Sequence, residues 1–124
     1  MKNNKIAIPA IILAFSISSC FHRSNDTNIT VSENEDKFKF SAHFPANRTH
    51  EVGKIIDRNI APASFFGSGT VHIDASTTLD DHTSFYIKAT PGDVIIELDR
   101  YKNTKASYQR VRDMCEEIKE SLGK

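Results

Sequence analysis

The sequence is poor in cysteine, in net charge and in long apolar runs, and each shortage restricts what the protein can be. Cysteine occurs only at Cys20 and Cys115. The 16 basic residues are balanced by 16 acidic ones, and no basic patch with interleaved aromatic residues is present, so no nucleic-acid partner is expected. The longest apolar run, residues 6–17, is interrupted by Pro9 and Ser16. It is shorter than the ~18 to 20 residues that a transmembrane helix needs.

Motifs that would identify an enzyme or a cofactor site are also missing. The chain contains no P-loop, no dinucleotide-binding fingerprint, no HExxH and no CxxC, each of which would point to a defined chemistry. Residues 67–69, Gly-Ser-Gly, precede a predicted strand, whereas a phosphate loop precedes a helix N-terminus. The sequence places no activating base beside a serine or beside Cys115, so we assign no nucleophile. We therefore predict no cofactor.

The first twenty residues carry the clearest pattern in the chain. Lys2 and Lys5 form a positive start, residues 6–17 form an apolar segment, and two serines stand directly before Cys20. This combination resembles the type II signal peptide of bacterial lipoproteins. The resemblance implies that residues 1–19 are removed and that Cys20 is acylated, with two or three acyl chains that release slowly from a membrane. The alternatives are a cleaved secretory peptide with an accidental cysteine and a short uncleaved anchor.

The residues around Cys20 bear on location and on thiol chemistry. Phe21 is not the aspartate that retains such lipoproteins at the inner membrane of enteric bacteria, and residues 21–26 lack the acidic run of surface-exported lipoproteins. The resemblance thus implies a lipid-anchored protein of the outer membrane that faces the periplasm. With Cys20 acylated, Cys115 is the remaining thiol, which excludes an intramolecular disulfide. Cys115 lies on the apolar side of a predicted helix, so we expect a buried, inert thiol.

The rest of the sequence divides into a tether and one domain. Residues 20–28 comprise the anchor and a polar tether without periodicity, whose eight residues after Cys20 span at most ~26 Å. Residues 29–124 suffice for a single small domain and not for two. Alternating apolar and polar side chains predict five strands in this domain, at 29–32, 37–44, 70–79, 84–90 and 94–100.

A first helix is predicted between the second and third of these strands. It begins near Asn47, a good N-cap, continues with apolar residues at helical spacing, and ends before Pro62. Gly53 lies inside it, where glycine costs about 1 kcal/mol relative to alanine. We therefore expect close approach of the sheet at Gly53.

A second helix is predicted at 104–122, with Asn103 or Thr104 as its cap and Gly123 as its terminator. Its apolar stripe consists of Tyr108, Val111, Cys115, Ile118 and Leu122. The order of elements is then ββαβββα, and each helix has one apolar stripe while the sheet has one apolar face. These features predict an α+β two-layer sandwich, in which both helices pack on one face of a five-stranded, mostly antiparallel sheet.

Three polar side chains on predicted strands are candidates for a shared site. His72 and Asp74 are two residues apart on one strand, and His43 lies on the polar face of another strand of the same sheet. Convergence of such nitrogen and oxygen ligands would suit a metal ion. A solvated sheet face lacks the shielding and supporting hydrogen bonds of a metal site. We therefore interpret these residues as surface side chains and predict no metal.

Two further features are candidates for binding. Phe65 and Phe66 are adjacent in the loop at 61–69, where we expect one ring to close the edge of the core and the other to be exposed for contact. In the second helix the basic residues precede the acidic ones, which is the reverse of what the helix dipole favours. Either a partner or a solvated face that tolerates a small penalty explains this reversed order.

The sequence leaves three functional hypotheses open. The first is a non-catalytic, lipid-anchored module that binds an envelope protein or a small-molecule ligand through the polar sheet face or the loop at Phe65 and Phe66. The second is a small hydrolase or metal-dependent enzyme that uses His43, His72 and Asp74. The third is a structural or inhibitory envelope protein that acts through its helix surface.

Overall fold

The computed structural model of the chain describes residues 20–22, 27–69 and 71–124, so the predicted signal peptide at 1–19 lies outside the described residues. Two short 3₁₀ turns, Ala46–Arg48 and Arg100–Lys102, occur before the two helices. The strands and helices follow in the order β1 Cys20–His22, β2 Asn28–Glu33, β3 Lys37–His43, α1 Thr49–Ile60, β4 Ile73–Thr78, β5 Ser84–Thr90, β6 Asp93–Asp99 and α2 Lys105–Leu122.

The strands form one sheet in the order β1-β2-β3-β6-β5-β4, and every pair of neighbours is antiparallel. Strands β4, β5 and β6 form an antiparallel meander. Strand β3 pairs with β6 on one side and with β2 on the other, so it joins the meander to the rest of the sheet. Both helices pack on the same face and enclose one core. The predicted α+β class, the five predicted strands and the two helices on one face are confirmed.

Strand β1 was not predicted, because it falls in the segment expected to be a tether. Cys20 pairs with Thr30 of β2, and Phe21 pairs with Ile29. Without β1, strand β2 would be an open edge, and the free N–H and C=O groups of such an edge pair readily with an extended segment nearby. Three residues are too few to show alternation in the sequence. The tether prediction is therefore wrong for Cys20–His22, and also for Asn28, which begins β2.

The inner face of the sheet is a continuous apolar surface. Strand β3 shows the predicted period of two, with Phe38, Phe40 and Ala42 buried while Lys37 and Lys39 are exposed. The neighbouring strands β5 and β6 contribute Phe85, Ile87, Ala89, Val94, Ile96 and Leu98 to the same buried layer. The core therefore lies between this face and the two helices.

Helix α1 begins later than predicted. A 3₁₀ turn occupies Ala46–Arg48, and the residue before the helix, Arg48, provides no capping side chain. The Thr49 hydroxyl links the start of α1 to the turn between β5 and β6. It donates to the Ala46 carbonyl at 2.7 Å and accepts from the Gly92 N–H at 3.0 Å. Asn47 is therefore not the N-cap, since the tighter first turn places it inside a 3₁₀ helix.

Helix α2 matches its prediction closely. Thr104 is the N-cap, and its hydroxyl accepts from the Ser107 N–H at 3.0 Å, while Gly123 ends the helix. The buried stripe includes the predicted Val111, Cys115, Ile118 and Leu122 together with Met114, whereas Tyr108 is partly buried. Burial raises the pKa of the Cys115 thiol well above its usual range. Among the described residues, no helix has both the length and the apolar character needed to cross a membrane.

The hairpin turn between β5 and β6 depends on a glycine, Gly92. Gly92 has φ +83°, a value that suits the third position of a type II turn. A Cβ atom at Gly92 would lie 2.9 Å from the Phe44 carbonyl oxygen. The turn thus requires glycine for its backbone angle and for its close contact with the end of β3.

Candidate binding surfaces

The outer face of the sheet is exposed and carries the three predicted polar candidates. His43 lies at the end of β3, and its Nδ1 is 2.9 Å from Asp93 Oδ1. Asp74 lies in β4 and accepts a hydrogen bond from the Tyr86 hydroxyl at 2.8 Å. His72 lies just before β4 and is also exposed. The structure therefore gives His43 and Asp74 partners that the sequence did not predict.

His43, His72 and Asp74 do not come together. Strands β6 and β5 lie between β3 and β4, so His43 is three strand spacings from the other two, or about 14 Å at about 4.8 Å each. Among the residues that the structure describes, no group of three or more His, Cys, Asp or Glu side chains could hold a metal ion. The strand order therefore keeps His43 apart from His72 and Asp74, and the three side chains do not form one shared site.

Charges on the outer face stand opposite charges of the other sign. The register places Lys37 opposite Asp99, Lys39 opposite Glu97, and Lys88 opposite Asp74. Opposite charges in directly facing positions stabilise an antiparallel pair modestly. The hydrogen bond that the Tyr86 hydroxyl donates to Asp74 raises the pKa of the tyrosine. The outer face is thus electrically balanced and is not a patch of one sign.

A small apolar area lies at the centre of this balanced face. Ile95 of β6 stands between Ser41 of β3 and Lys88 of β5, and Tyr86 is its diagonal neighbour on β5. Both side chains are half-buried, and diagonal neighbours on adjacent strands are within reach of an aromatic ring. Ile95 was not among the predicted candidates. Its signal in the sequence is the unbroken run Val94–Ile96, where strict alternation fails.

The loop after α1 is attached to the helix by one carboxylate. Asp57 accepts hydrogen bonds from the Phe65 N–H at 2.8 Å, from the Phe66 N–H at 3.1 Å and from the Ser64 hydroxyl at 2.8 Å. Ser64 in turn accepts from the Gly67 N–H at 3.1 Å. Asp57 therefore orders the part of the loop that carries both phenylalanines.

Both phenylalanines are half-buried and pack against the core. Phe66 covers Gly53 of α1, since a Cβ atom at Gly53 would lie 2.9 Å from Phe66 Cγ. The expectation that one ring is exposed for contact is therefore wrong. The predicted close approach at Gly53 does occur, but the three atoms nearest to an added Cβ all belong to Phe66 of the loop.

A different aromatic side chain is exposed. Tyr101, in the 3₁₀ turn after β6, is 78% exposed, and it is the one exposed large hydrophobic residue among those that the structure describes. The negative charge of Asp36 raises the pKa of its hydroxyl, and a hydrogen bond between the two adds to this effect. The exposed aromatic side chain that we predict in the loop at Phe65 and Phe66 is therefore found at Tyr101 instead.

The solvent side of the helix layer contains a groove of about 750 Å³ between α1 and α2. The Arg48 guanidinium bonds both Glu51 oxygens, at 3.0 and 2.7 Å, and lowers the pKa of that carboxyl. Arg48 also donates to the carbonyls of Ser121 and Leu122 at the end of α2, where a cation is favoured by the helix dipole. The groove is lined by Asn47, His50, Glu51, Lys54, Ile55, Arg58, Glu117, Glu120, Ser121 and Lys124.

Contacts with neighbouring elements account for part of the reversed charge order of α2. In its first half, Arg110 pairs with Asp81 at 2.8 Å and donates to the Asn59 carbonyl, and Arg112 lies 3.6 Å from Glu33. In its second half, Glu117 forms an ion pair with Arg58 of α1 and accepts from the Asn59 amide. These intramolecular contacts offset the unfavourable dipole term for Arg110, Arg112 and Glu117, so the positions of these three charges need no partner to explain them.

The turn at Asp80, Asp81 and His82 has the structural role that its composition suggests. Asp81 accepts from the Thr83 N–H at 3.0 Å, and His82 adopts φ 70°. Hydrogen bonds from Thr83, with a further contribution from Arg110, lower the pKa of Asp81 to about 2.

Comparisons with known proteins give no further guide to the site. No family model matches the chain, and no match was found among curated proteins or solved structures.

Proposed function

We propose that the protein is a lipid-anchored protein of the bacterial cell envelope, attached through Cys20, and that its α+β domain is a non-catalytic binding module. The leader supports the anchor, because its two lysines, its apolar segment and the two serines before Cys20 together match the lipoprotein pattern. The proposed location is the outer membrane, facing the periplasm, since Phe21 replaces the aspartate of the inner-membrane retention signal.

The surface proposed for binding is the outer face of the sheet, and the observation that carries it is the apolar centre at Ile95 and Tyr86. These half-buried side chains are surrounded by the charged residues Lys39, Glu97 and Lys88 of β3, β6 and β5. Protein interfaces commonly combine an apolar centre, in which tyrosine is enriched, with a polar rim that excludes water. The proposed partner is therefore another envelope protein with a flat, mixed polar surface.

The anchor is tested by replacing the residue that would carry it. Cys20→Ser should lose metabolic labelling by a radioactive fatty acid and should be released or mislocalised. Cys115→Ser is the matched control, because the buried Cys115 is not a lipidation site, and it should keep full labelling. Fatty-acid label retained by Cys20→Ser, or absent from the wild-type protein, would show that the lipoprotein proposal is wrong.

The binding surface is tested by site-specific photocrosslinking in cells. A photoreactive amino acid at position 95 should give a discrete crosslinked product, and the same amino acid at position 54, in the groove between the helices, should not. The product at position 95 should disappear when Tyr86→Ser is introduced, because this change removes the neighbouring ring. A product at position 54 alone would favour the helix surface instead and would contradict the proposed sheet surface.

A further inference from the structure

We propose that the edge of the sheet formed by β1 and β2 lies directly on the lipid bilayer, so that the anchor holds the domain in one orientation. The inference rests on the proposed acylation of Cys20. It concerns a different question, namely how the anchored domain is presented to the membrane.

The position of Cys20 in the fold carries the inference. Cys20 is the first residue of β1, and it pairs with Thr30 in the middle of β2. Neighbouring strands lie about 4.8 Å apart, so the residue that carries the acyl chains is one strand spacing from the body of the sheet. After removal of residues 1–19, nothing separates the lipid from the sheet edge.

The same pairing restricts the distance that the domain could move from its anchor on a flexible tether. A free segment of eight residues after Cys20 would allow the domain to move up to ~26 Å from the anchor. Phe21 and His22 are instead paired with Ile29 and Asn28. The anchor therefore cannot extend away from β2 unless β1 separates from the sheet.

The chemistry of β2 suits contact with lipid headgroups. Its exposed residues Asn28, Thr30 and Ser32 carry hydroxyl and amide groups and no charge. Its one charged residue, Glu33, lies 3.6 Å from Arg112. Hydroxyl and amide groups can exchange hydrogen bonds with headgroups and their water, and no unpaired charge in β2 has to be desolvated.

Two serines provide a matched pair of reporter positions. Ser32 in β2 and Ser76 in β4 are both exposed, and they occupy one row across the sheet through Lys39, Glu97 and Tyr86. They lie four strand spacings apart, or about 19 Å. Cys115 is 2% exposed, so a thiol-reactive dye on the folded, acylated protein would label the introduced cysteine.

The experiment uses the acylated full-length protein in vesicles of phosphatidylethanolamine and phosphatidylglycerol that contain a headgroup-attached nitroxide quencher. A dye at Ser32→Cys should be quenched several-fold more strongly than a dye at Ser76→Cys. A flexible Gly/Ser insertion of about ten residues directly after Cys20, with an r.m.s. span of ~17 Å, should abolish this difference.

Equal quenching at the two positions in the acylated protein without the insertion would overturn the inference, and the lipid anchor itself would stand. Stronger quenching at Ser76→Cys would also overturn it, because the opposite edge of the sheet would then face the bilayer. A protein that carries no fatty acid and does not bind the vesicles would refute the anchor, and the orientation with it.

Discussion

The two faces of the sheet are built from the same strands but are stabilised by different forces. On the inner face, side chains such as Phe40 and Ile96 are fully buried, and their contribution follows the apolar area removed from water. On the outer face, Lys39 stands opposite Glu97, and the surrounding water screens their attraction. Adjacent residues of one strand therefore differ greatly in how much they contribute to stability. The loop at 61–69 combines both kinds of force, because its two phenylalanines pack against the core and Asp57 holds their N–H groups by hydrogen bonds.

The largest effect is expected on the inner side of the molecule. Ile118 of α2 is fully buried, so Ile118→Ala should lower the free energy of unfolding by roughly 2 to 5 kcal/mol. Cys115→Ala should cost less, because it removes a single sulfur atom. Denaturant titration measures both changes.

Glu116→Ala is the matched control for the inner side, since Glu116 is exposed on the same helix and its loss should stay within about 0.5 kcal/mol. If Ile118→Ala were as mild as Glu116→Ala, the assignment of the inner face of α2 would be wrong. The third hypothesis, a partner bound by the helix surface, would then gain support.

The next largest change in the free energy of unfolding is expected from substitutions at the contact between α1 and the loop at 61–69. Gly53→Ala forces a methyl group against the Phe66 ring, and overpacking of this kind costs about 1 to 3 kcal/mol. The better helix propensity of alanine offsets about 1 kcal/mol of that cost. A net loss of stability is therefore expected in thermal or denaturant unfolding.

A double-mutant cycle separates these two contributions. In a Phe66→Ala background the ring is absent and only the Cβ of residue 66 remains close, at 3.2 Å. Gly53→Ala should therefore be less destabilising than in the wild-type protein, because the propensity gain of up to about 1 kcal/mol is opposed by a smaller contact. If Gly53→Ala destabilised both backgrounds equally, the ring would not be the reason for glycine at this position.

Loss of the Asp57 carboxylate should destabilise mainly the loop at 61–69. Asp57→Ala removes the acceptor for the Phe65 and Phe66 N–H groups, and we expect a loss of about 1 kcal/mol together with faster proteolysis in residues 61–69. Asp57→Asn keeps one acceptor oxygen and should cost less. A loop that resists protease equally in Asp57→Ala would show that the rings alone hold it.

Charge pairs of the outer face should contribute least among the contacts of the sheet. A double-mutant cycle on Lys39→Ala and Glu97→Ala should give a coupling energy of about 0.2 to 1 kcal/mol. The coupling should shrink in high salt, because solvent-exposed charges are screened. A coupling well above this range would show that the outer face is covered by a second molecule under the conditions of the measurement.

The free energy of unfolding should depend slightly on pH in the acidic range, because of Asp81 in the turn before β5. The pKa of Asp81 is lowered to about 2 in the folded protein, from an ordinary value of 3.8. Its stabilising contribution is therefore complete above about pH 4 and is lost as the pH falls towards 2. Asp81→Asn should reduce the slope of stability against pH in this window, and an unchanged slope would contradict the role of Asp81.

Features that depend on local periodicity were predictable from the sequence. Strand β3 alternates between buried residues and more exposed ones, and α2 repeats its apolar residues at helical spacing between a Thr104 cap and a terminating Gly123. The turn at Gly92 also has a local signal, because Pro91 and Gly92 suit the second and third positions of a type II turn. These patterns involve residues that are close together in the sequence, so they can be recognised without knowledge of the fold.

Features that depend on contacts between distant residues were not predictable. Strand β1 forms because β2 offers an edge, and Gly53 is required because Phe66 covers it. The separation of His43 from His72 follows from strand order, which alternation does not determine. Tyr101 is exposed because the 3₁₀ turn after β6 places it outside the core, which no periodic pattern indicates.

The pairing of β3 with β6 has a consequence for the order in which the protein can fold. His43 and Asp93, which meet across this pairing, are 50 positions apart in the sequence. Bringing them together closes a long loop, and nonlocal pairings of this kind slow folding. An N-terminal fragment that ends before β6 would leave the β3 edge open, with Phe38 and Phe40 exposed on one side of it. During synthesis the pairing of the early strands with β6 therefore cannot form until β6 has been made, and a chain interrupted before Asp99 would be prone to aggregate.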